Sequence, residues 1–406
     1  MNGKYDAIIA GAGPAGAQCA RDLAARGYDV VVLETETAAT FPAQSNKSTG
    51  GTFASMMTAF CIPDDVVMHT TESVVLESPS EQFIQEQPGF VLEFGDFKQF
   101  LVEDGRKAGV EYRFDAHVRA PIVEDGDVVG VRYNTDEAVY AEIVIDATGP
   151  AAPLASELGV VELEHKNHAI GIEYLFEGVT LDHPEYADLT DAMMLRLDHE
   201  YAPGGYSWIF HTGEDTAKVG ICYIQNERYR EHATAERTVD GYLDHWVDTD
   251  PRLETASPIA ENQVRGSAHV QHPGSMSTDS FMAIGDTVPS VDPLWGEGID
   301  KCMQSGRVAA MTADRCLSGQ VDTSASEMTV YDELWSERVG PRQHRRLVMT
   351  KLLYLASNER YDRLMRDLSE LDRDTLSDIN AGDTRTILKL LHPSDIFYLG
   401  KYWRES

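Results

Sequence analysis

The chain has 406 residues, 67 of them acidic against 34 basic, and a formal net charge of −33 with the acids spread along its whole length. That length is more than one hydrophobic core serves and predicts two or more lobes. Globular levels of aliphatic and aromatic residues argue against a disordered chain, and so negative a field repels nucleic acid at low salt, though high salt screens it; no nucleic-acid partner is expected.

In chain order, KYDAIIAGAGPAGAQCARDLAARGYDVVVLE (4–34) predicts a β-α-β unit. An apolar strand (5–10) leads into a Gly-rich turn, a helix with apolar Ala17, Ala20, Leu23 and Ala24 that Gly27 ends, and a second strand closing at Glu34. Residues 35–60 read as polar and irregular. DFKQFLVEDGRKA (96–108) predicts a helix with Asp96 as N-cap. Strands are expected near 111–118, 128–134 and 139–147. Between 168 and 225 the runs HAIGIEYLF, AMMLRL, GYSWIFH and AKVGICYI predict an antiparallel sheet. FMAIGD (281–286) predicts a return strand and GEGIDKCMQSGRVAAMTADRCL (296–317) an amphipathic helix. After about 328 the pattern is helical to the end, with a basic segment, GPRQHRRLVMTK, at 340–351.

The scarcity of lysine, 10 against 24 Arg, fits a surface kept soluble in multimolar salt, as in halophilic archaea; an ordinary acidic cytosolic protein is the blander alternative. The five cysteines (19, 61, 222, 302 and 316) are odd in number and lack CxxC or His/Cys ligand spacing. They predict a reducing cytoplasm and no metal site. No apolar run reaches the roughly 18 residues of a membrane span, and no signal peptide is expected.

Three stretches point to one dinucleotide. In GAGPAGAQCA, Gly11 permits a tight turn, Gly13 lets the backbone approach a pyrophosphate, and Gly16 permits close helix–strand packing. Pro14 and Ala15 open the helix, whose N-terminus faces the anion. Glu34 stands 18 residues after Gly16 and can accept hydrogen bonds from a ribose diol. That leaves NAD or FAD. IVIDATG ends a second strand in Ala147, Thr148 and Gly149, where the chain nears the adenine end in many FAD proteins. In FMAIGDTVPSVDP, Gly285 and Asp286 end a third strand, with Asp286 placed for ribityl hydroxyls. PLWGEGI (Pro293, Trp295, Gly296, Gly298, Ile299) opens a helix whose free N–H groups can face a flavin pyrimidine ring.

With these stretches in this order, the sequence resembles the FAD-dependent oxidoreductases of the p-hydroxybenzoate-hydroxylase-like fold, and within them the geranylgeranyl reductase family. The resemblance covers roughly 4–320 and rests also on Tyr206-Ser-Trp208-Ile-Phe210-His211, which is similar to the family's YxWxFP motif. It implies an α/β chain: a Rossmann-like FAD-binding domain (1–165 and 270–320), an inserted antiparallel β-sheet substrate domain (166–269) and a C-terminal helical region (321–406). It also implies that Tyr206, Trp208 and Phe210 border flavin and substrate cavity, with Trp295 joining them. In a strand these three rings share one face; packing against one another in a sheet core is the other reading.

Two departures stand out. Where relatives carry a Cys in a Lys-x-Cys-Gly stretch, this chain has Lys47-Ser48-Thr49-Gly50, so Thr49 takes the flavin-proximal Cys position, with Gly50 after it. A Thr hydroxyl does not titrate near neutral pH. His211 replaces the Pro, either as drift at a strand end or as a proton donor.

The implied reaction is alkene reduction: hydride from N5 of reduced FAD to one carbon of an isoprenoid double bond, in archaeal ether lipids or menaquinone, and a proton to the other. The rivals are a flavin monooxygenase or halogenase and an electron-transfer flavoprotein. No second GxGxxG is present, so the expected electron donor is ferredoxin, reduced flavin or transiently bound NAD(P)H. The expected location is the cytoplasm. Arg342, Arg345, Arg346 and Lys351 are candidates to meet lipid phosphates at the inner membrane face, internal salt bridges being the other reading.

Overall fold

The computed structural model describes residues 4–45, 48–380, 390, 392 and 395. The first strands are β1 (Tyr5–Ala10), β2 (Val30–Leu33), β3 (Gly51–Phe53), β4 (Val67–Glu77), β5 (Gln82–Leu92), β6 (Glu111–Arg113), β7 (Val118–Glu124) and β8 (Asp127–Tyr133). They are followed by β9 (Glu137–Asp146), β10 (His168–Glu177), β11 (Ala192–Arg196), β12 (Gly205–Gly213), β13 (Thr216–Ile224), β14 (Ser257–His269), β15 (Ser277–Thr278) and β16 (Phe281–Ala283).

The chain divides into two compact units, and the division departs from the expected boundaries. The first contains 1–47, 93–164 and 268–343; the second contains 48–92, 165–267 and 344–406. Residues 48–92 fall in the second unit because β3, β4 and β5 pair into its sheet, β4 lying parallel to β11. Residues 344–380 belong with them as well, Met365 and Leu368 packing on Phe83 of β5.

The first unit is the Rossmann-like part. Its sheet runs β15-β16-β9-β1-β2-β6, with β8 pairing β9 and β7. β1 is parallel to both β2 and β9, Ile9 facing Val32 on one side and Ile145 on the other. Ile8, Ile9, Val31, Val32, Val144 and Ile145 are all completely buried. Burial on both faces is what a near-continuous apolar run in a parallel sheet requires, each side chain contributing about 1.5–3 kcal/mol. The helix Pro14–Ala24 turns Ala15, Gly16, Ala17, Cys19 and Ala20 inward, and these small side chains let it lie close to its neighbours. It crosses the helix Ile299–Leu317 so tightly that a Cβ at Gly306 would lie 2.3 Å from the carbonyl oxygen of Ala15.

The helix expected from Asp96 begins earlier, as Phe94–Ala108, and its N-cap is Glu93, whose Oε1 accepts from the Gly95 N–H at 3.0 Å. Asp96 sits in the first turn, where its charge still favours the helix end. The expected strand 111–118 is interrupted between β6 and β7, with Asp115 at φ +55. The segment read as irregular contains β3 and the helix Ala54–Phe60.

The second unit is a sheet in the order β14-β10-β13-β12-β11-β4-β5-β3. One face is closed by the helix Val239–Thr249. Tyr242, Leu243 and Trp246 pack there with Ile172, Ile209, Val219, Ile221, Met194 and Val75. The opposite face carries the aromatic row.

Candidate functional site

In the first unit the three expected stretches meet. Gly11 (φ +103) ends β1; its N–H donates to the Leu33 carbonyl at 2.8 Å, and a Cβ there would lie 2.4 Å from the carbonyl oxygen of Ala147. A Cβ at Gly16 would lie 2.1 Å from the Gly11 carbonyl oxygen, and one at Gly285 (φ +59) 2.6 Å from Ala15 Cβ. The Gly149 N–H donates to Thr287 Oγ1 at 3.1 Å, tying the 147–149 turn to the 285–287 turn. Asp146, fully buried at the end of β9, builds the first of these. Its Oδ1 accepts from Thr148 N (3.0 Å) and Thr148 Oγ1 (2.6 Å), and its Oδ2 from Ala155 N (2.9 Å).

Glu34 is buried, with each carboxylate oxygen taking one backbone N–H: Oε2 from Ala12 at 2.8 Å and Oε1 from Glu36 at 3.0 Å. A carboxylate oxygen has two lone pairs, so each keeps one acceptor site for a diol. Asp286 lies on the 285–287 turn, partly exposed. Its Oδ1 receives Ser290 Oγ at 3.3 Å and the Cys302 thiol at 3.6 Å, and burial pushes its carboxyl up to about 6.

The turn before the helix Ile299–Leu317 is held by Asp292, whose Oδ1 accepts from Leu294 N (3.0 Å) and Trp295 N (3.1 Å). Pro293 is buried, Trp295 half-buried, and Gly296 adopts φ +67. The N-cap is Gly298, which offers no side-chain cap, and buried Ile299 begins the helix. Glu297 accepts from the Asp300 N–H at 2.6 Å; burial, and then Asp300, pushes its carboxyl up to about 7.

Gly13 and Gly298 are the telling glycines. Gly13 has φ −70, which any residue adopts, and a Cβ there would meet nothing within 4 Å; a Cβ at Gly298 would make only an ordinary 3.4 Å contact with Val291. The protein itself does not require glycine at either place. Both are N-caps, where a Ser, Thr, Asp or Asn would normally occupy the free N–H groups. At Gly13 no side chain does so, and at Gly298 only Glu297 does, taking the Asp300 N–H. A bare helix N-terminus at Gly13 beside a buried diol acceptor, with a second at Gly298 that keeps part of its N–H groups free, forms a cradle that fits a dinucleotide.

In the second unit β12 presents Tyr206, Trp208 and Phe210 on the face away from the covered core, Trp208 buried and the other two half-buried. The Trp208 indole lies flat across β13: a Cβ at Gly220 would come 2.3 Å from its ring. That places Trp208 Nε1 to donate to buried Glu173 on β10 at 2.7 Å. Phe210 packs with Met193, Phe53, Val74 and Val91, and Gly51 of β3 leaves it room, since a Cβ there would lie 2.6 Å from the ring. Thr49 and Gly50 lie in this unit, at the entry to β3; Lys47 and Asn46 fall outside the described residues.

His211 faces the other way. Its Nε2 lies 3.1 Å from the Glu214 carbonyl oxygen and its Nδ1 meets that of Thr190, while its ring packs against His69, the centroids 4.0 Å apart and the planes tilted by 50°. Burial, and then His211, lowers the His69 pKa. His211 is thus committed to backbone contacts away from the aromatic row. The sequence reading missed Asp146, Thr287 and Asp292, which build the turns, and Glu173 and Lys218 on the aromatic face. The one signal for Glu173 was Gly220, a lone glycine in an apolar strand.

Among the described residues no cluster of His, Cys, Asp and Glu could hold a metal ion, and no helix is long and apolar enough to cross a membrane.

Comparison with known proteins bears on this arrangement. Residues 170–263 match the geranylgeranyl reductase catalytic domain, residues 9–71 an NAD(P)-binding Rossmann-like domain, and residues 44–170 the tryptophan halogenase family. The chain is 62% identical over 400 residues to the digeranylgeranylglycerophospholipid reductase of Haloferax volcanii, 98% of both chains being covered. It is 31% identical to a digeranylgeranylglycerophospholipid reductase of Methanoculleus marisnigri, over 82% of each chain. Among solved structures, a geranylgeranyl bacteriochlorophyll reductase-like protein from Thermoplasma acidophilum superposes with a TM-score of 0.83 at 24% identity, covering 98% of this chain and 99% of that one. A flavin-dependent brominase superposes with a TM-score of 0.75 at 20% identity over the full length of both. Those two likenesses establish the fold.

Proposed function

We propose that this chain, which belongs to the digeranylgeranylglycerophospholipid reductase family, saturates the double bonds of geranylgeranyl chains in archaeal ether lipids, with the side chain of menaquinone as the second substrate to test. The chain is an oxidoreductase of the reductase type, and its cofactor in this reading is FAD. Bound and reduced, FAD supplies hydride at N5.

The residues of the chain do the rest. The N–H groups around Gly13, at the mouth of the helix Pro14–Ala24, bind the pyrophosphate. Glu34 accepts from the ribose diol and Asp286 from the ribityl hydroxyls. The N-terminus at Gly298, with one N–H taken by Glu297, offers the partial charge of its remaining N–H groups to the pyrimidine ring, favouring its reduced anion. Thr49 and Gly50 are assigned to the flavin by family resemblance, and the Thr49 hydroxyl orients water at most. Tyr206, Trp208 and Phe210 wall the isoprenoid and exclude water; each CH₂ buried there contributes about 0.8 kcal/mol.

The observation that carries the isoprenoid reading is the two-faced second sheet. Its core face is closed by the helix Val239–Thr249, so the aromatic row is not needed to complete that core. Reach to a lipid chain through a membrane surface, by the basic segment at Arg345, Arg346 and Lys351, is part of the proposal and is read out by flotation with anionic vesicles.

The test is anaerobic. The protein, purified in high salt, is reduced with dithionite under argon and given a geranylgeranylated archaeal lipid. Return of the oxidised flavin band on adding lipid alone supports the reductase. A band that returns only with oxygen, with halide attached to an aromatic acceptor, supports the halogenase rival, to which the match over residues 44–170 points.

A further inference from the structure

Lys218 stands on β13 directly opposite Phe210, on the aromatic face, and is buried. A lysine is rarely buried, and its desolvation costs free energy unless its donors are satisfied. Nζ donates to the carbonyl oxygens of Thr49 at 2.7 Å and Leu92 at 2.9 Å. These two acceptors belong to two neighbouring segments, the entry to β3 and the end of β5, which pair antiparallel. The Leu92 N–H donates to the Gly50 carbonyl at 2.9 Å, and Gly50 N–H to Ser48 Oγ at 3.3 Å. Gly50 has φ +81, and a Cβ there would lie 2.4 Å from the Leu92 carbonyl oxygen. One residue on, Gly51 lies against the Phe210 ring.

We propose that Lys218 is a positioning residue of the reductase: its ammonium locks the Ser48–Gly51 segment onto the end of β5 and against the aromatic strand, and so fixes Thr49 and Gly50 where the reaction needs them. A charge-assisted bond to each carbonyl is stronger than a neutral one, and two bonds from one ammonium set both the height and the direction of the segment. An arginine there would present a planar fork in place of a point donor and would fit the two carbonyls less closely. The catalytic part of this inference rests on the functional reading above; the lock itself does not.

The test uses the full chain in high salt, comparing wild type with Lys218→Met and Lys218→Arg. Hydrogen exchange at the Leu92 amide reads the lock without any cofactor. Lys218→Met is expected to speed it at least about tenfold, the factor that corresponds to about 1.4 kcal/mol, with Lys218→Arg intermediate. Lys218→Met is further expected to lower kcat for the lipid more than it raises KM and to alter the visible spectrum of bound flavin, with partial rescue by Lys218→Arg. Unchanged exchange at Leu92 overturns the lock. Faster exchange with unchanged kcat and spectrum overturns the positioning role. If Lys218→Met does not fold, Lys218→Arg carries the same readouts, and wild-type behaviour in all of them overturns the proposal. Failure of the functional reading would appear separately, as wild-type protein that binds no flavin or leaves the lipid unreduced.

Discussion

Gly13→Ala separates ligand from fold. The neighbouring glycines are fixed by the protein: alanine at Gly16 would drive Cβ to 2.1 Å from the Gly11 carbonyl oxygen, and alanine at Gly11 requires φ +103. Gly13 has neither constraint. Replacing a glycine at an ordinary φ restricts the unfolded chain and stabilises by about 0.4–1 kcal/mol. Alanine is a poorer N-cap than glycine, which costs a comparable amount, about 0.5–1 kcal/mol. The two offset, so the cofactor-free protein should unfold within about 0.5 kcal/mol of wild type. The added methyl, however, stands where a pyrophosphate would approach. Displacing it from one or two charge-assisted N–H bonds costs about 1.5–3 kcal/mol, or roughly a 10- to 150-fold weaker Kd. Urea unfolding of the flavin-free protein and fluorescence titration with FAD, both in multimolar salt, measure the two quantities. Stability lowered by more than about 1.5 kcal/mol with unchanged FAD affinity would refute the assignment of Gly13 to the ligand.

Gly220→Ala should do the reverse in the second unit. Its Cβ, 2.3 Å from the Trp208 ring, forces the indole off Glu173. Overpacking at about 1–3 kcal/mol and a lost buried hydrogen bond at about 1–3 kcal/mol should appear as a fall in unfolding free energy and in lipid turnover, with FAD affinity kept. Arg252→Met tests the buried ion network. Fully buried Arg252 bonds Glu77 at 2.7 Å and Asp250 at 2.9 Å, and removing it should cost about 3–5 kcal/mol in urea unfolding, because Glu77 and Asp250 stay buried. The Asp286 carboxyl, raised to about 6 by burial, predicts a pH dependence. Folding disfavours its ionised form, so its contribution to flavin-free stability is present below about pH 4 and lost as pH rises through about 6. Donation from ribityl hydroxyls favours the ionised form. FAD binding should therefore release protons between about pH 4 and 6, measured by calorimetry in buffers of different ionisation heat, and Asp286→Asn should abolish that release.

The dinucleotide half of the chain was largely legible because its signals are local. An apolar run, three spaced glycines and an acid at the end of the next strand report the same element, and the structure gathers the 147–149 and 285–287 turns beside them. The residues that build those turns were less legible: Asp146 reads as the last residue of a strand until its carboxylate is seen holding Thr148 and Ala155. β4 and β5 escaped notice because register shifts near Val67–His69 and Thr71–Ser73 break the alternation that marks a strand. Their pairing carries residues 48–92 into the second sheet. The partners on the aromatic face could not be read locally either. Glu173 meets Trp208 across 35 residues and Lys218 meets Thr49 across 169, contacts set by strand order rather than spacing. Phe210 and Gly51 likewise become neighbours only once β3 lies at the sheet edge.

The most direct measurement of the central claim is mass spectrometry of a geranylgeranylated archaeal lipid after anaerobic incubation with the dithionite-reduced, FAD-loaded protein in high salt. Stepwise gains of two hydrogens for each double bond saturated are the expected result. A flavin-loaded protein that leaves the mass of this lipid, and of menaquinone, unchanged would contradict the isoprenoid reductase and return the aromatic row at Tyr206, Trp208 and Phe210 to a packing role.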